Sequence, residues 1–127
     1  MYFADLTPYE YSKPNEPNTF NIGWLDAEHD FSKGEVSAVA IQRLKSLAKN
    51  PVNQTRGFHF CQFCKINLND RIKWMEEMIK IGAVSSAEIR VHRKDGRIYA
   101  APVLICHYTE AHNYKPPQEF VEALMES

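Results

Sequence analysis

The sequence contains no apolar run approaching the roughly 18 residues that a membrane-spanning helix needs. Its first residues, MYFADLTPYEY, carry neither the basic start nor the apolar core of a secretion signal. No membrane partner is expected, and a cytoplasmic location is the default expectation. Charge of neither sign is in excess, with 15 Lys and Arg against 16 Asp and Glu. A nucleic-acid binder usually shows a basic excess or stripe, so that class loses weight. A nucleotide loop and a nucleophile triad are also missing. Cysteine is scarce, at three residues, and three thiols cannot all pair within one chain. A cytosolic setting disfavours disulfides as well. Cys106 reads as a small buried apolar residue, which leaves Cys61 and Cys64 as metal ligands or a redox pair.

What is present suits one α+β domain spanning 1–127. Hydrophobic content of 44% and charged content of 24% are ordinary for a globular protein. A chain of 127 residues can bury a core yet still gain from a staple. There are no internal repeats or low-complexity tracts.

Along the chain, Pro14, Asn15, Pro17 and Asn18 mark a turn. A short strand is expected over 19–25, with Phe20, Ile22 and Trp24 on one face. Tyr2, Phe3, Tyr9 and Tyr11 are expected to fasten the N-terminal arm to the body. Ser32 and Glu35 form a capping box with a Phe31–Val36 staple, predicting a helix over 36–50 that buries Val36, Val39, Ala40, Leu44, Leu47 and Ala48. A second helix over 67–82 is capped by Asn67 or Asn69 and ended by Gly82. Its apolar stripe is Ile72, Met75, Met78 and Ile79. AEIRV and RIYAA around Asp95-Gly96 are the strongest hairpin signal. Pro102 suits the first position of a third helix over 102–114, which Pro116 and Pro117 end before a short C-terminal helix.

The residues closest to chemistry are Cys61 and Cys64 at C-x-x-C spacing, with His107 and His112 at H-x4-H spacing. Two thiols and two imidazoles make the ligand set of a structural zinc site. The cysteines fall on a knuckle turn where backbone N–H groups can face the sulfurs. Positions five apart on an ideal helix are about 140° out of line, so both rings reach one ion only if the helix changes pitch near Ala111. His59, two residues before Cys61, can replace a helix histidine as ligand or support the site from behind. Phe58, Phe60 and Phe63 are expected to pack around the knuckle, and His29 and His92 to lie on the surface.

The ligand types resemble those of two-Cys, two-His zinc fingers. However, 42 residues separate Cys64 from His107, against about 12 in that signature. Four protein ligands close the tetrahedron, so no catalytic residue is assigned. With only three ligands, a hydrolytic site becomes conceivable with Glu110 as base, although HYTEAH is not HExxH. Thiol redox chemistry at Cys61 and Cys64 is another alternative. The motif looks superficially like a thioredoxin or glutaredoxin site, but the parallel βαβ context is missing. A nucleic-acid alternative uses Arg90, Arg93, Lys94 and Arg97 near the metal.

Over most of its length, through YFADLTPYEY, GFHFCQFC, GRIYAAPVLICHY and HNYKPPQEF, the chain resembles a family of small uncharacterised bacterial proteins. That resemblance implies a cytosolic bacterial protein in which the Cys and His positions belong to one design. It brings no activity or substrate. The expectation is therefore a zinc-stapled module that binds a protein partner, regulatory or immunity-type in kind. Trp24, Trp74 or the methionine stripe would supply its interface.

Overall fold

In the computed structural model, which describes residues 2–9, 17–52, 59–64 and 68–126, four helices and two small sheets form an α+β fold. The order is β1 (Thr19–Asn21), α1 (Ala38–Ala48), β2 (His59–Phe60), α2 (Arg71–Lys80), β3 (Val84–Ser85), β4 (Glu88–His92), β5 (Ile98–Pro102), α3 (Ile105–Ala111) and α4 (Gln118–Glu126).

The hairpin forms where its alternation predicts it. Gly96 takes a φ of +96°, which a side chain would resist, and Arg93 N–H donates to Arg97 O at 2.8 Å. The register pairs Arg90 with Ala100 and Glu88 with Pro102. β1 adds in parallel to the other side of β5, opposing Phe20 to Tyr99. β5 is thus the central strand, and Tyr99, Ala100 and Ala101 are fully buried. β2 and β3 pair separately and antiparallel. α1 packs on α3 and α4, and α4 packs on β4, closing the core around Leu44, Ile89, Ile105 and Phe120. Burying side chains of this size contributes about 1.5–3 kcal/mol each.

The N-terminal arm runs along β1. Leu6 N–H donates to Asn21 O, and Tyr9 N–H to Thr19 O. Its aromatic residues fasten it as expected. Tyr2 stacks on His29 at 3.8 Å, Phe3 meets Trp24 edge-on, and the buried Tyr9 hydroxyl donates to Glu88 Oε1 at 2.8 Å. Tyr11, Pro14, Asn15 and Phe58 lie outside the described residues.

Several expected boundaries move. β1 stops at Asn21 because Gly23 turns the chain with a φ of +76°, lying so close to Ile105 that a Cβ there would stand 3.0 Å from its Cδ1. Ile22 therefore enters the main core, whereas Trp24 joins Tyr9 and Ala100 in a second cluster. α1 begins at Ala38, capped by Ser37, whose Oγ accepts from Ala40 N–H at 3.1 Å. Ser32 cannot cap it, because residues 32–34 pair with 113–115 through Lys115 N–H to Ser32 O and Gly34 N–H to Asn113 O. Val39 consequently faces water while Ala40 and Leu44 are buried. In α2 the cap is Asp70 rather than Asn69, with Oδ1 accepting from Ile72 and Lys73. Only Met78 of the expected stripe is fully buried, with Trp74 half-buried one turn before it. Ile72 and Ile79 are 71% and 61% exposed. Pro102 ends β5 instead of starting a helix. β1 has already ended at Asn21, so the missing Pro102 N–H leaves no bond unmade on that side. The C-terminal helix appears as predicted, burying Phe120, Ala123 and Leu124. No helix among the described residues is long and apolar enough to cross a membrane.

The relocated cap has a direct test in chemical denaturation. Ser37→Ala should cost about 1 kcal/mol of stability, and Ser32→Ala should stay within about 0.5 kcal/mol of the parent.

Candidate metal centre

The cysteine turn is built on the end of α2. Gly82, at a φ of +74°, lets Ala83 N–H reach back to Met78 O at 2.8 Å in a Schellman closure. Ala83 O then accepts from Cys61 N–H at 2.8 Å, extending the β2–β3 ladder by one bond. Beyond it the chain curls so that the backbone N–H groups of Phe63 and Cys64 hydrogen-bond to the Cys61 sulfur. Gln62 Oε1 fixes the outside of the turn by accepting from Ala27 N–H at 2.8 Å. Phe63 packs inward against Phe31, Tyr108 and His112 at centroid distances of 5.1–5.9 Å.

The imidazoles come from α3. His107 sits within the helix, and its ring hydrogen-bonds to the backbone of Ile81. A carbonyl partner of this kind fixes ring orientation at metal sites. The helix ends at Ala111, and His112 leaves it with φ −122° and ψ 11°. Asn113 follows at a φ of +56°, and His112 and Tyr114 both donate to Tyr108 O at 3.1 Å. This unwinding removes the misalignment that a continuous helix would impose, and it falls at the residue where the spacing requires it.

The four ligand atoms converge within 4.8 Å of one another. Cys64 Sγ lies 3.1 Å from His107 Nε2 and 3.5 Å from His112 Nε2, and Cys61 Sγ lies 3.3 Å from His112 Nε2. The two Nε2 atoms are 3.2 Å apart. Ideal tetrahedral metal–sulfur and metal–nitrogen bonds give separations of about 3.6 Å for S···N and about 3.3 Å for N···N. The donor set fits one small ion, and these four residues can hold a metal.

Burial pushes the free Cys61 thiol up to about 11 despite its two N–H partners. Burial, reinforced by the neighbouring His112, holds His107 below 6.5, and burial lowers His112 too. Both rings are thereby kept neutral and able to ligate.

A domain of unknown function, DUF7919, matches residues 1–125. The chain belongs to this family. No curated protein and no solved structure matches it. The family carries no assigned activity, so chemistry in this DUF7919 chain rests on the placement of its residues.

His59 is not among the four converging residues. It lies in β2 with its ring edge-on to Trp24 at 6.0 Å, and burial lowers its pKa. Cys106 is half-buried against the core, and burial pushes its thiol up to about 11. Glu110 is exposed and pairs with Lys45 at 2.6 Å. At the hairpin, Arg90 pairs with Glu88, while Arg93 and Arg97 both reach Glu119. Three of the four cations of the basic stretch are thus paired with carboxylates.

Two supports were not visible in the sequence. One is the α2 turn, which holds both Cys61 and His107; Gly82 signals the turn but not what docks on it. The other is Tyr114, fully buried two residues after His112, whose hydroxyl donates to Asp5 Oδ2 at 2.8 Å. Burial raises the Asp5 pKa above 3.8 in spite of the bonds it accepts from Gly23 and Tyr114. The fold therefore favours protonated Asp5. Its contribution to stability is full below pH 3.8 and is lost as pH rises through the raised folded value. Urea midpoints of the parent and Asp5→Asn should show the parent losing ground to the variant as pH climbs through that window. A difference that stays flat with pH would remove the assignment.

Proposed function

We propose that the chain is a small cytoplasmic binding module whose fold is stapled by one structural zinc ion held by Cys61, Cys64, His107 and His112. The observation that carries this reading is the convergence of two sulfurs and two Nε2 atoms within 4.8 Å of one another. Two thiolates with two imidazoles suit zinc among the common divalent ions. Four protein ligands leave no position for a substrate water, so the ion's role is structural. A reducing compartment keeps both thiols available to it.

The alternatives find less support. A redox cysteine needs a depressed thiol pKa, whereas burial raises that of Cys61. A hydrolytic reading needs a free base, and Glu110 is engaged with Lys45. A nucleic-acid reading needs free cations, and the hairpin arginines are paired with Glu88 and Glu119. A protein partner is supported by the apolar surface at and just beyond α2, where Ile72, Ile79 and Ile81 are exposed.

Metal analysis of protein purified without added zinc should find about one zinc per chain, as a single four-ligand site requires. Cys64→Ala and His112→Ala should lose it, and Cys106→Ser should keep it. Chelation should unfold the chain, since binding and folding energies are shared. Protein that is fully folded and metal-free would overturn the staple. Two displaced thiol protons also give the site a steep pH response. Competition against a chelating dye should show affinity falling about a hundredfold per pH unit on acidification.

A further inference from the structure

Beside the knuckle lies a cleft of about 370 Å³, within the size range of small-molecule sites. Five rings line it, those of Trp24, His59, Phe60, Trp74 and Tyr108, together with aliphatic Leu25, Pro102 and Leu104 and the Gln62 amide. Among the described residues, no Lys, Arg, Asp or Glu lines it. Trp24 and Tyr108 are held by partners outside the cleft, and Phe60 and Trp74 by each other. Trp24 Nε1 donates to Ala100 O at 3.0 Å, Phe60 packs on Trp74 at 5.4 Å, and Tyr108 packs on Phe63. Gln62 is fixed through its Oε1 on Ala27, which leaves the amide N–H groups to be used. Among the described residues, neither the His59 ring nitrogens nor the Tyr108 hydroxyl has a hydrogen-bond partner.

This combination has a chemical meaning. Flat π-faces favour a planar ring, because stacked and edge-on contacts add to simple burial. Imidazole, phenol and amide groups offer donors and acceptors to the edge of that ring, and leaving them unmatched would cost affinity. The described lining carries no cation to pair with a phosphate or carboxylate. A flexible aliphatic chain would fill the volume but leave the polar groups unmatched. We infer that the cleft binds a small, uncharged, planar heteroaromatic molecule of nucleobase or indole size, stacked among Trp24, His59 and Trp74 and hydrogen-bonded at its rim by Tyr108 and Gln62.

The cleft shares its frame with the metal centre. His59, Phe60 and Gln62 surround Cys61 in the chain, and Tyr108 follows His107. None of the lining residues is a proposed ligand, so the binding inference does not depend on which ion holds the centre, and metal analysis and ligand titration test the two readings separately.

The test uses the full chain as purified, with saturation-transfer NMR and titration calorimetry against indole and adenine. Cyclohexanol and adenosine monophosphate serve as aliphatic and anionic controls. At least one of the two heteroaromatics should bind saturably below about 10 mM, and both controls should bind more weakly. Trp74→Leu and His59→Ala, each removing a wall, should weaken that binding about fivefold or more. Tyr108→Phe should weaken it while keeping the ring. Metal content and the unfolding transition, measured on each variant, report whether the fold is intact. Indole binding alone marks the cleft as an apolar-ring site, and adenine binding marks it as a base-type site. Failure of both probes, equal binding of cyclohexanol, or affinity unchanged in folded Trp74→Leu and His59→Ala would overturn the inference.

Discussion

His112 can meet His107 over the two thiols because the chain abandons helical geometry one residue before it. A residue five positions along a regular helix faces about 140° away. Here α3 ends at Ala111, Tyr108 O accepts two N–H donors, and Asn113 turns through left-handed space. That conformation is tolerable for Asn where it would strain most side chains. Downstream, Tyr114 is immediately buried and tied to Asp5, and residues 113–115 pair with 32–34. The local break at the helix end is therefore held from outside, by the N-terminal arm and by the segment that leads into α1.

The opposite half of the centre depends on the C-terminal turn of α2. Ala83 O receives Cys61 N–H, and the Ile81 backbone receives the His107 ring. One three-residue stretch thus sets both the height of the knuckle and the tilt of an imidazole. The same stretch ends a helix that exposes Ile72 and Ile79 among Arg71, Lys73, Glu76 and Lys80. Ile79 is 61% exposed and Ile81 44%, so these two side chains reach water while the turn directs carbonyls at Cys61 and His107 and buries Ala83.

Residue type and spacing made the cluster of Cys61, Cys64, His107 and His112 legible, since C-x-x-C and H-x4-H announce possible donors whatever surrounds them. The hairpin was legible because period-two alternation around Asp-Gly specifies both strands and turn. Family membership over residues 1–125 agrees with the resemblance at the level of a domain of unknown function. Helix edges were less legible because more than one residue could cap. Ser32 with Glu35 had the stronger local signature, but the backbone of 32–34 was claimed by 113–115, a pairing invisible to local pattern. The α2 stripe failed for a related reason. Periodicity shows that a helix has an apolar side, but not that isoleucines on it are left in water. The role of His59 turned on which way a two-residue strand presents its side chains, and it packs on Trp24 instead of joining the sulfurs.

The 42 residues between Cys64 and His107 bear on the order in which the molecule assembles. Closing a flexible loop of that length costs about 3 kcal/mol beyond a constant term, before any contact at the seam offsets it. The β4–β5 hairpin and α3 are contiguous in the chain and can form without that closure. α2 needs only its own cap and its glycine turn. Once these elements are ordered, the span that remains to be closed is far shorter than the sequence separation. The Cys–His seam thus joins elements whose own hydrogen bonds are local to the span between Cys64 and His107.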